Sequence, residues 1–170
     1  IKEGNVRDII ILQDLSQSMT LSVSSGSTSI TRLQASKNAI NNLLDIIVKV
    51  NETLNQDDEK FKLALIGFGD FSSVNNSNVL DLKKKVDELT VTDPGSYTKI
   101  VSGLDFVLNQ IDSYGRKNVD VSVISFLDGT SDDISTAVPK ANTLKNDYHA
   151  ILFSIVLNDS ATGGISSAID

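Results

Sequence analysis

Three oxygen-bearing side chains, those of Asp14, Ser16 and Ser18, follow directly after an apolar run at residues 9–12. A carboxylate and two hydroxyls spaced i, i+2, i+4 are all oxygen donors, and a loop that leaves a buried strand can turn them toward one point. Hard divalent cations such as Mg²⁺ prefer oxygen, keep several waters and take one or two carboxylates from the protein. The segment therefore predicts part of a metal site with room for a further ligand. Its alternative interpretation is a helix N-cap, in which Asp and Ser accept hydrogen bonds from free amides.

The composition restricts the class of protein that can carry such a site. A chain of 170 residues with 40% hydrophobic and 22% charged residues is typical of one soluble globular domain. Its 15 basic and 22 acidic residues give a net charge of −7, which argues against nucleic-acid binding and fits cation binding. The chain has no cysteine, which excludes a disulfide framework and Cys-ligated zinc. It contains no apolar stretch of about 20 residues, so we expect no direct membrane insertion.

The elements that must position this loop follow from the hydrophobic pattern. Apolar runs rich in β-branched residues alternate with segments of helical period, which predicts a parallel sheet flanked by helices. We predict strands at residues 8–13, 61–68, 119–127 and 150–157, and helices at residues 33–50, 80–89, 98–111 and 134–146. The polar stretch at 20–29 is predicted to be a surface loop, and 72–78 fits either an edge strand or a loop. The run at 119–127 is long and continuously apolar, which places it at the centre of the sheet.

The predicted sheet brings distant polar residues to one edge. In an open parallel sheet, ligands bind beyond the carboxyl ends of the strands. Asp14, Ser16 and Ser18 follow the first strand, and Asp128 follows the run at 119–127. Thr98 opens a helix after a Pro-Gly turn at residues 94–95. We therefore expect the three groups to converge.

These segments resemble those of a von Willebrand factor A domain, the fold shared by integrin inserted domains. Residues 14–19 resemble Asp-x-Ser-x-Ser, the first motif of the family's metal-ion-dependent adhesion site (MIDAS), which bacterial members often follow with Met. Residues 95–98, with Gly103 behind them, are similar to the family's threonine loop and helix start. Residues 124–129 are similar to its apolar strand ending in Thr-Asp-Gly. Two departures are Gln17, where Gly is commoner, and Leu127, where Thr is usual.

The resemblance implies an α/β fold with a doubly wound, mostly parallel central sheet and helices on both faces. It implies a single domain over residues 1–170, as a fragment of a larger protein. Members usually have a further strand and a C-terminal helix after the strand predicted at 150–157. Only 13 residues remain here, so we expect these last elements to be lacking or missing.

The resemblance also implies a ligand set and a use for the metal. The expected ligands of Mg²⁺, or of Mn²⁺, are Asp14, Ser16, Ser18, Thr98 and Asp128, directly or through water. The open coordination position would accept an Asp or Glu carboxylate from a protein ligand, because a cation with few direct charges stays electrophilic. Partner contacts are expected around the ion at Gln17, Tyr97 and Asp70.

The implied function is adhesion without catalysis. Lack of cysteine, richness in Asn, Ser and Thr, and a long polar loop after the metal motif favour an extracellular bacterial adhesin, at the cell surface or on a pilus. Its ligand would be a host matrix or plasma protein. One alternative is an intracellular assembly module beside an ATPase. A Mg²⁺-dependent hydrolase is disfavoured, because no Gly-x-Ser-x-Gly elbow or Walker loop is present and the single histidine, His149, fits a structural position.

Overall fold

The computed structural model of the chain describes residues 7–25, 28–54, 60–68, 73–76, 79–91, 99–117, 119–129 and 133–157. The strands are β1 (Arg7–Asp14), β2 (Ser22–Ser25), β3 (Thr28–Thr31), β4 (Lys62–Phe68), β5 (Ser73–Asn76), β6 (Asp120–Leu127) and β7 (Ile151–Val156). The helices are a short 3₁₀ helix (Gln17–Thr20), α1 (Arg32–Glu52), α2 (Val79–Glu88), α3 (Ile100–Tyr114) and α4 (Ile134–Asp147).

Five strands form one sheet in the order β5-β4-β1-β6-β7. Strand β1 is parallel to β4 and to β6, β6 is parallel to β7, and β5 is antiparallel to β4 at the edge. The predicted α/β fold with a mostly parallel sheet is confirmed. The central position predicted for residues 119–127 is wrong, because β1 holds it. Both β1 and β6 have a neighbour on each side, so both are apolar and buried, and hydrophobicity alone does not rank them.

Helices cover both faces of the sheet, as predicted. Successive side chains of a strand point to opposite faces. On one face Ile9 and Ile11 join a core with residues of α1 and α2. On the other face Ile10 and Leu12 join a second core with residues of α3 and α4. The alternating side chains of β1 therefore contribute to two separate apolar cores, and each core is completed by the apolar faces of two helices.

Helix α3 lies unusually close to the sheet at Gly103. A Cβ atom at this position would lie 2.8 Å from Leu12 Cδ1 and 3.1 Å from Phe68 Cγ. Phe68 is the register partner of Asp14, so the close approach occurs near the carboxyl edge of the sheet. The absence of a side chain at Gly103 lets the start of α3 pack against that edge.

The structure also corrects one local prediction and resolves one alternative that the sequence left open. Residues 20–29 were expected to form a loop, but β2 and β3 pair as an antiparallel hairpin in which Val23 faces Ile30 and Ser22 faces Thr31. The β-branched Val, Ile and Thr residues favour strands, and the many serines between them hide the alternation. Of the two alternatives for residues 72–78, the described part of the chain shows the edge strand, β5 (Ser73–Asn76). The Pro-Gly turn at 94–95 and residues 158–170 lie outside the described part of the chain.

One apolar stripe on β7 is exposed. Phe153 is 52% exposed, and Ile151 and Ile155 are each 40% exposed. Phe153 pairs with Ile124, which packs against the α1/α2 core, so the stripe continues that face of the sheet. Among the described helices, none is both long enough and apolar enough to cross a membrane.

Candidate metal centre

Four of the predicted site residues lie at the carboxyl edge of the sheet. Asp14 is the last residue of β1, and Asp128 directly follows β6, the parallel neighbour of β1. Ser16 precedes the short 3₁₀ helix, and Ser18 lies within it. Asp14, Ser16 and Asp128 are buried, and Ser18 is half-buried. The structure therefore brings together two carboxylates and two hydroxyls from segments more than 100 residues apart in sequence.

The loop after β1 holds its hydroxyls on one side. The backbone amide of Ser16 donates to Asp14 Oδ1 at 2.8 Å, and the hydroxyls of Ser16 and Ser18 are hydrogen-bonded at 3.0 Å. Leu15 and Met19 are buried among the apolar side chains and anchor the loop from the other side. The alternation of apolar and polar residues thus fixes the direction of each oxygen donor.

The carboxyl group of Asp14 is incompletely satisfied. Its Oδ2 atom is buried and has no hydrogen-bond partner in the described part of the chain. Burial raises the pKa of Asp14 to about 6; hydrogen bonds from Ser16 and the nearby backbone amide of Asp128 oppose the rise, and the charge of Asp128 adds to it. A buried carboxylate oxygen without a donor, beside two hydroxyls and a second carboxylate, is an oxygen donor set that a divalent cation fits.

The turn after Asp128 depends on glycine. Gly129 has φ +97°, where residues with a side chain are strained, and a Cβ atom there would lie 3.0 Å from Val156 Cγ1. Leu127, which stands where the family usually has Thr, is fully buried in the core beneath α3 and α4. This position therefore contributes to packing, and its neighbour Asp128 supplies the polar group.

Arg32 was not predicted from the sequence, and it lies at the same edge. It is the first residue of α1, and its Nη1 atom lies 3.6 Å from Asp128 Oδ2 and 3.4 Å from the carbonyl oxygen of Ser18. Its backbone amide donates to the carbonyl of Leu21 at 2.8 Å, at the base of the β2-β3 hairpin. The signal in the sequence was the N-cap Thr31, which marks the start of α1. Because a loop was predicted in place of the β2-β3 hairpin, there was no reason to place the start of α1 near the site.

Asp133 is a second residue that the sequence did not reveal. Its carboxylate accepts hydrogen bonds from the backbone amides of Ile100, at 3.1 Å, and Val101, at 3.2 Å. Its carbonyl oxygen accepts from two amides in the first turn of α4. Asp133 therefore joins the starts of α3 and α4, and α3 begins two residues after Thr98.

The other predicted residues do not all fall within the described structure. Thr98, Tyr97 and Asp70 lie outside the described residues. Gln17 is exposed at the start of the 3₁₀ helix, on the rim of the site. His149 is exposed between α4 and β7, at the opposite end of the parallel strands, away from these residues. The described residues contain no group of three or more His, Cys, Asp or Glu suited to a metal. The candidate site instead combines two carboxylates with two hydroxyl groups.

We expect Asp133→Ala to lower the free energy of unfolding by about 1–2 kcal/mol, because two amides at the positive end of α3 lose a charged acceptor. Asp133→Asn keeps one acceptor oxygen and should recover about half of that loss. Urea unfolding in EDTA measures both variants. The control is Asp147→Ala, at the exposed end of α4, which should stay within about 0.5 kcal/mol of the wild type. Equal stability of Asp133→Ala and Asp147→Ala would contradict the proposed cap.

The sequence and the fold agree on the family. The family model of the von Willebrand factor type A domain matches residues 8–164. The chain therefore belongs to the von Willebrand factor type A domain family. No curated protein is similar enough to this chain to count as a match.

Several solved structures share the fold. Proximal thread matrix protein 1 from the mussel byssus, in a structure with a zinc-occupied MIDAS motif, is 18% identical, with a TM-score of 0.65 over 96% of this chain and 38% of that one. Manganese-loaded TRAP protein of Plasmodium vivax is 20% identical, with a TM-score of 0.64 over 92% of this chain and 59% of that one. The type V pili tip protein Mfa5 of Porphyromonas gingivalis is 20% identical, with a TM-score of 0.57 over 74% of this chain and 20% of that one. This chain thus spans less than two thirds of each of these proteins.

Proposed function

We propose that this chain is a metal-dependent adhesion domain that binds a protein ligand through a divalent cation. The residues proposed to hold the cation are Asp14, Ser16, Ser18, Thr98 and Asp128. The observation that carries the proposal is the buried Oδ2 atom of Asp14, which has no hydrogen-bond partner in the described structure and lies beside the paired hydroxyls of the loop. The proposed cation is Mg²⁺, with Mn²⁺ as the alternative, because both take oxygen ligands.

The bound cation would supply one open position for a carboxylate of the partner. The chain's own residues make that position selective. Without the divalent cation, the carboxylates of Asp14 and Asp128 outweigh the single positive charge of Arg32, so the edge of the sheet would repel an acidic partner. The hydroxyls of Ser16 and Ser18 bring oxygen without negative charge, so no more than two carboxylates oppose the charge of the cation, and the ion stays a Lewis acid for a further carboxylate. The exposed Gln17 lies on the rim, and we propose that Tyr97 and Asp70 complete the contact surface.

The known relatives support this use of the site. The mussel protein carries zinc at its MIDAS motif and the Plasmodium protein is loaded with manganese, so divalent ions occur in proteins of this fold. The pilus tip protein supports a place at the cell surface or on a pilus, outside the cell. We further propose that residues 1–170 form one domain of a larger protein, that the domain is not an enzyme, and that its ligand is a host matrix or plasma protein with an exposed Asp or Glu.

Binding to immobilised matrix and plasma proteins tests the proposal. The domain is applied with Mg²⁺, with EDTA, and as Asp14→Ala with Mg²⁺. We expect binding only by the wild-type domain with Mg²⁺, because the bridge requires both the cation and its carboxylate. Asp147→Ala, which removes an exposed acid outside the site, is the matched control and should bind as the wild type does. Equal binding under all conditions would exclude the metal bridge.

A further inference from the structure

A buried positive charge already occupies one side of the candidate metal centre. The guanidinium of Arg32 lies 3.6 Å from Asp128 Oδ2, and the two side chains are only 12% and 5% exposed. The same Nη1 atom is 3.4 Å from the carbonyl oxygen of Ser18. Arg32 thus contacts two segments of the site, the loop after β1 and the turn after β6.

The position of Arg32 is fixed by its helix. It occupies the first turn of α1, directly after Thr31, whose hydroxyl accepts a hydrogen bond from the amide of Gln34 at 3.1 Å. Its backbone amide is bonded to Leu21, so the hairpin and the helix hold its backbone on both sides. The side chain of Arg32 therefore starts from an ordered backbone segment, and its guanidinium lies beside Asp128.

This charge bears on any cation that uses Asp128. Two carboxylates buried at one edge repel each other, and a nearby cation relieves that repulsion. The same guanidinium also repels the divalent cation, and it is paired with an Asp128 oxygen atom that the divalent cation would bind. Because both side chains are largely buried, water screens these effects only weakly.

We infer that Arg32 is an internal counter-cation that sets the metal affinity of this site. In the metal-free protein it holds Asp128 and the Ser18 carbonyl in position, and it competes with the divalent cation for Asp128. It therefore lowers the affinity of the site for the divalent cation, and it stabilises the site in the absence of that cation. This inference rests on the proposed function, because it requires that Asp128 belongs to the metal set.

Mg²⁺ titration by calorimetry, with no protein partner present, tests the inference on four proteins. Arg32→Gln removes the charge and should bind Mg²⁺ more tightly, on the order of tenfold. Arg32→Lys keeps the charge and should stay within about threefold of the wild type. Lys49→Gln removes an exposed charge near the other end of the same helix, roughly 25 Å away, and should bind as the wild type does.

Thermal unfolding gives an independent readout. In EDTA, Arg32→Gln should melt at a lower temperature than the wild type, and its upward shift on adding Mg²⁺ should be larger. If Arg32→Gln does not fold in EDTA, the comparison is made in a His149→Gly background. His149 has φ 52°, so glycine there removes strain and stabilises the fold away from the site.

The possible failures are distinguishable. If the wild type does not bind Mg²⁺, the proposed metal site falls and this inference falls with it. If the wild type binds Mg²⁺ and Arg32→Gln binds no more tightly, the inference alone is overturned. An equal loss of melting temperature with and without Mg²⁺ would likewise assign Arg32 a purely structural role.

Discussion

Asp14→Asn is expected to stabilise the metal-free protein at pH 8 and to abolish its response to Mg²⁺. Burial raises the pKa of Asp14 to about 6, so at pH 8 the folded protein holds an ionised carboxylate that it would hold more easily with a proton. Asparagine has nearly the same shape, keeps the acceptor for the Ser16 amide and carries no charge. The gain should be about 1–3 kcal/mol, the upper limit being the full difference from an ordinary Asp pKa of about 3.9.

The pH dependence fixes the sign of this effect. Because the pKa of Asp14 is raised in the folded protein, the folded state binds the proton more tightly than the unfolded state does. The resulting stability is fully present below about pH 4, the ordinary pKa of Asp, and is lost as the pH rises through about 6. The difference in free energy of unfolding between Asp14→Asn and the wild type should therefore grow between these pH values and then level off. Mg²⁺ affinity of the wild type should fall below about pH 6, because the proton competes with the cation.

Urea unfolding from pH 4 to pH 8, in EDTA and in Mg²⁺, measures both parts of this prediction. In Mg²⁺ at pH 8 the order of stability should reverse, with the wild type above Asp14→Asn. Asp147→Asn, which removes an exposed carboxylate, is the control and should show neither the pH-dependent gain nor a loss of the Mg²⁺ response. Wild type and Asp14→Asn with equal stability in EDTA at pH 8 would show that the buried charge carries no cost.

The features of the fold that depend on the local spacing of apolar residues could be predicted from the sequence. The apolar run of β1 and the three- and four-residue spacing of Ile40, Leu44 and Ile47 in α1 predicted a strand and a helix whose boundaries lie within two residues of those observed. The order of the strands is not a local property. It depends on which strands receive two neighbours, and β1 and β6 are alike in that respect.

The same distinction separates the predicted site residues from the missed ones. Asp14 and Asp128 follow apolar strands, and parallel strands end at one edge, so their convergence could be predicted. Arg32 reaches the site because a Ser-rich hairpin returns the chain to it. Asp133 reaches the start of α3 from 33 positions further along the chain. Neither contact has a local signature, because each depends on the packing of two elements that the sequence does not connect.

The opposite edge of the sheet carries a second buried charge pair, which has no part in the proposed metal site. Arg116 Nε donates to Asp8 Oδ1 at 2.8 Å, and the backbone amide of Arg116 donates to Asp8 Oδ2 at 3.0 Å. Both side chains are only 12% exposed. Asp8 lies at the amino end of β1, and Arg116 follows α3, so the pair joins the two elements at the end away from Asp14.

Arg116→Met is expected to lower the free energy of unfolding by about 3 kcal/mol while leaving Mg²⁺ affinity unchanged. The loss is large because Asp8 stays buried and, among the described residues, keeps only the backbone amide of Arg116 as a donor. Removing one partner of a buried pair costs about 3–5 kcal/mol. Asp8→Asn/Arg116→Met should recover part of the loss, since it leaves no buried charge.

Lys117→Met removes an exposed charge next along the chain and should stay within about 0.5 kcal/mol of the wild type. Urea unfolding and Mg²⁺ calorimetry measure the two quantities separately. Because the pair and the proposed metal ligands lie at opposite ends of β1, a weaker Mg²⁺ affinity in folded Arg116→Met would contradict their independence.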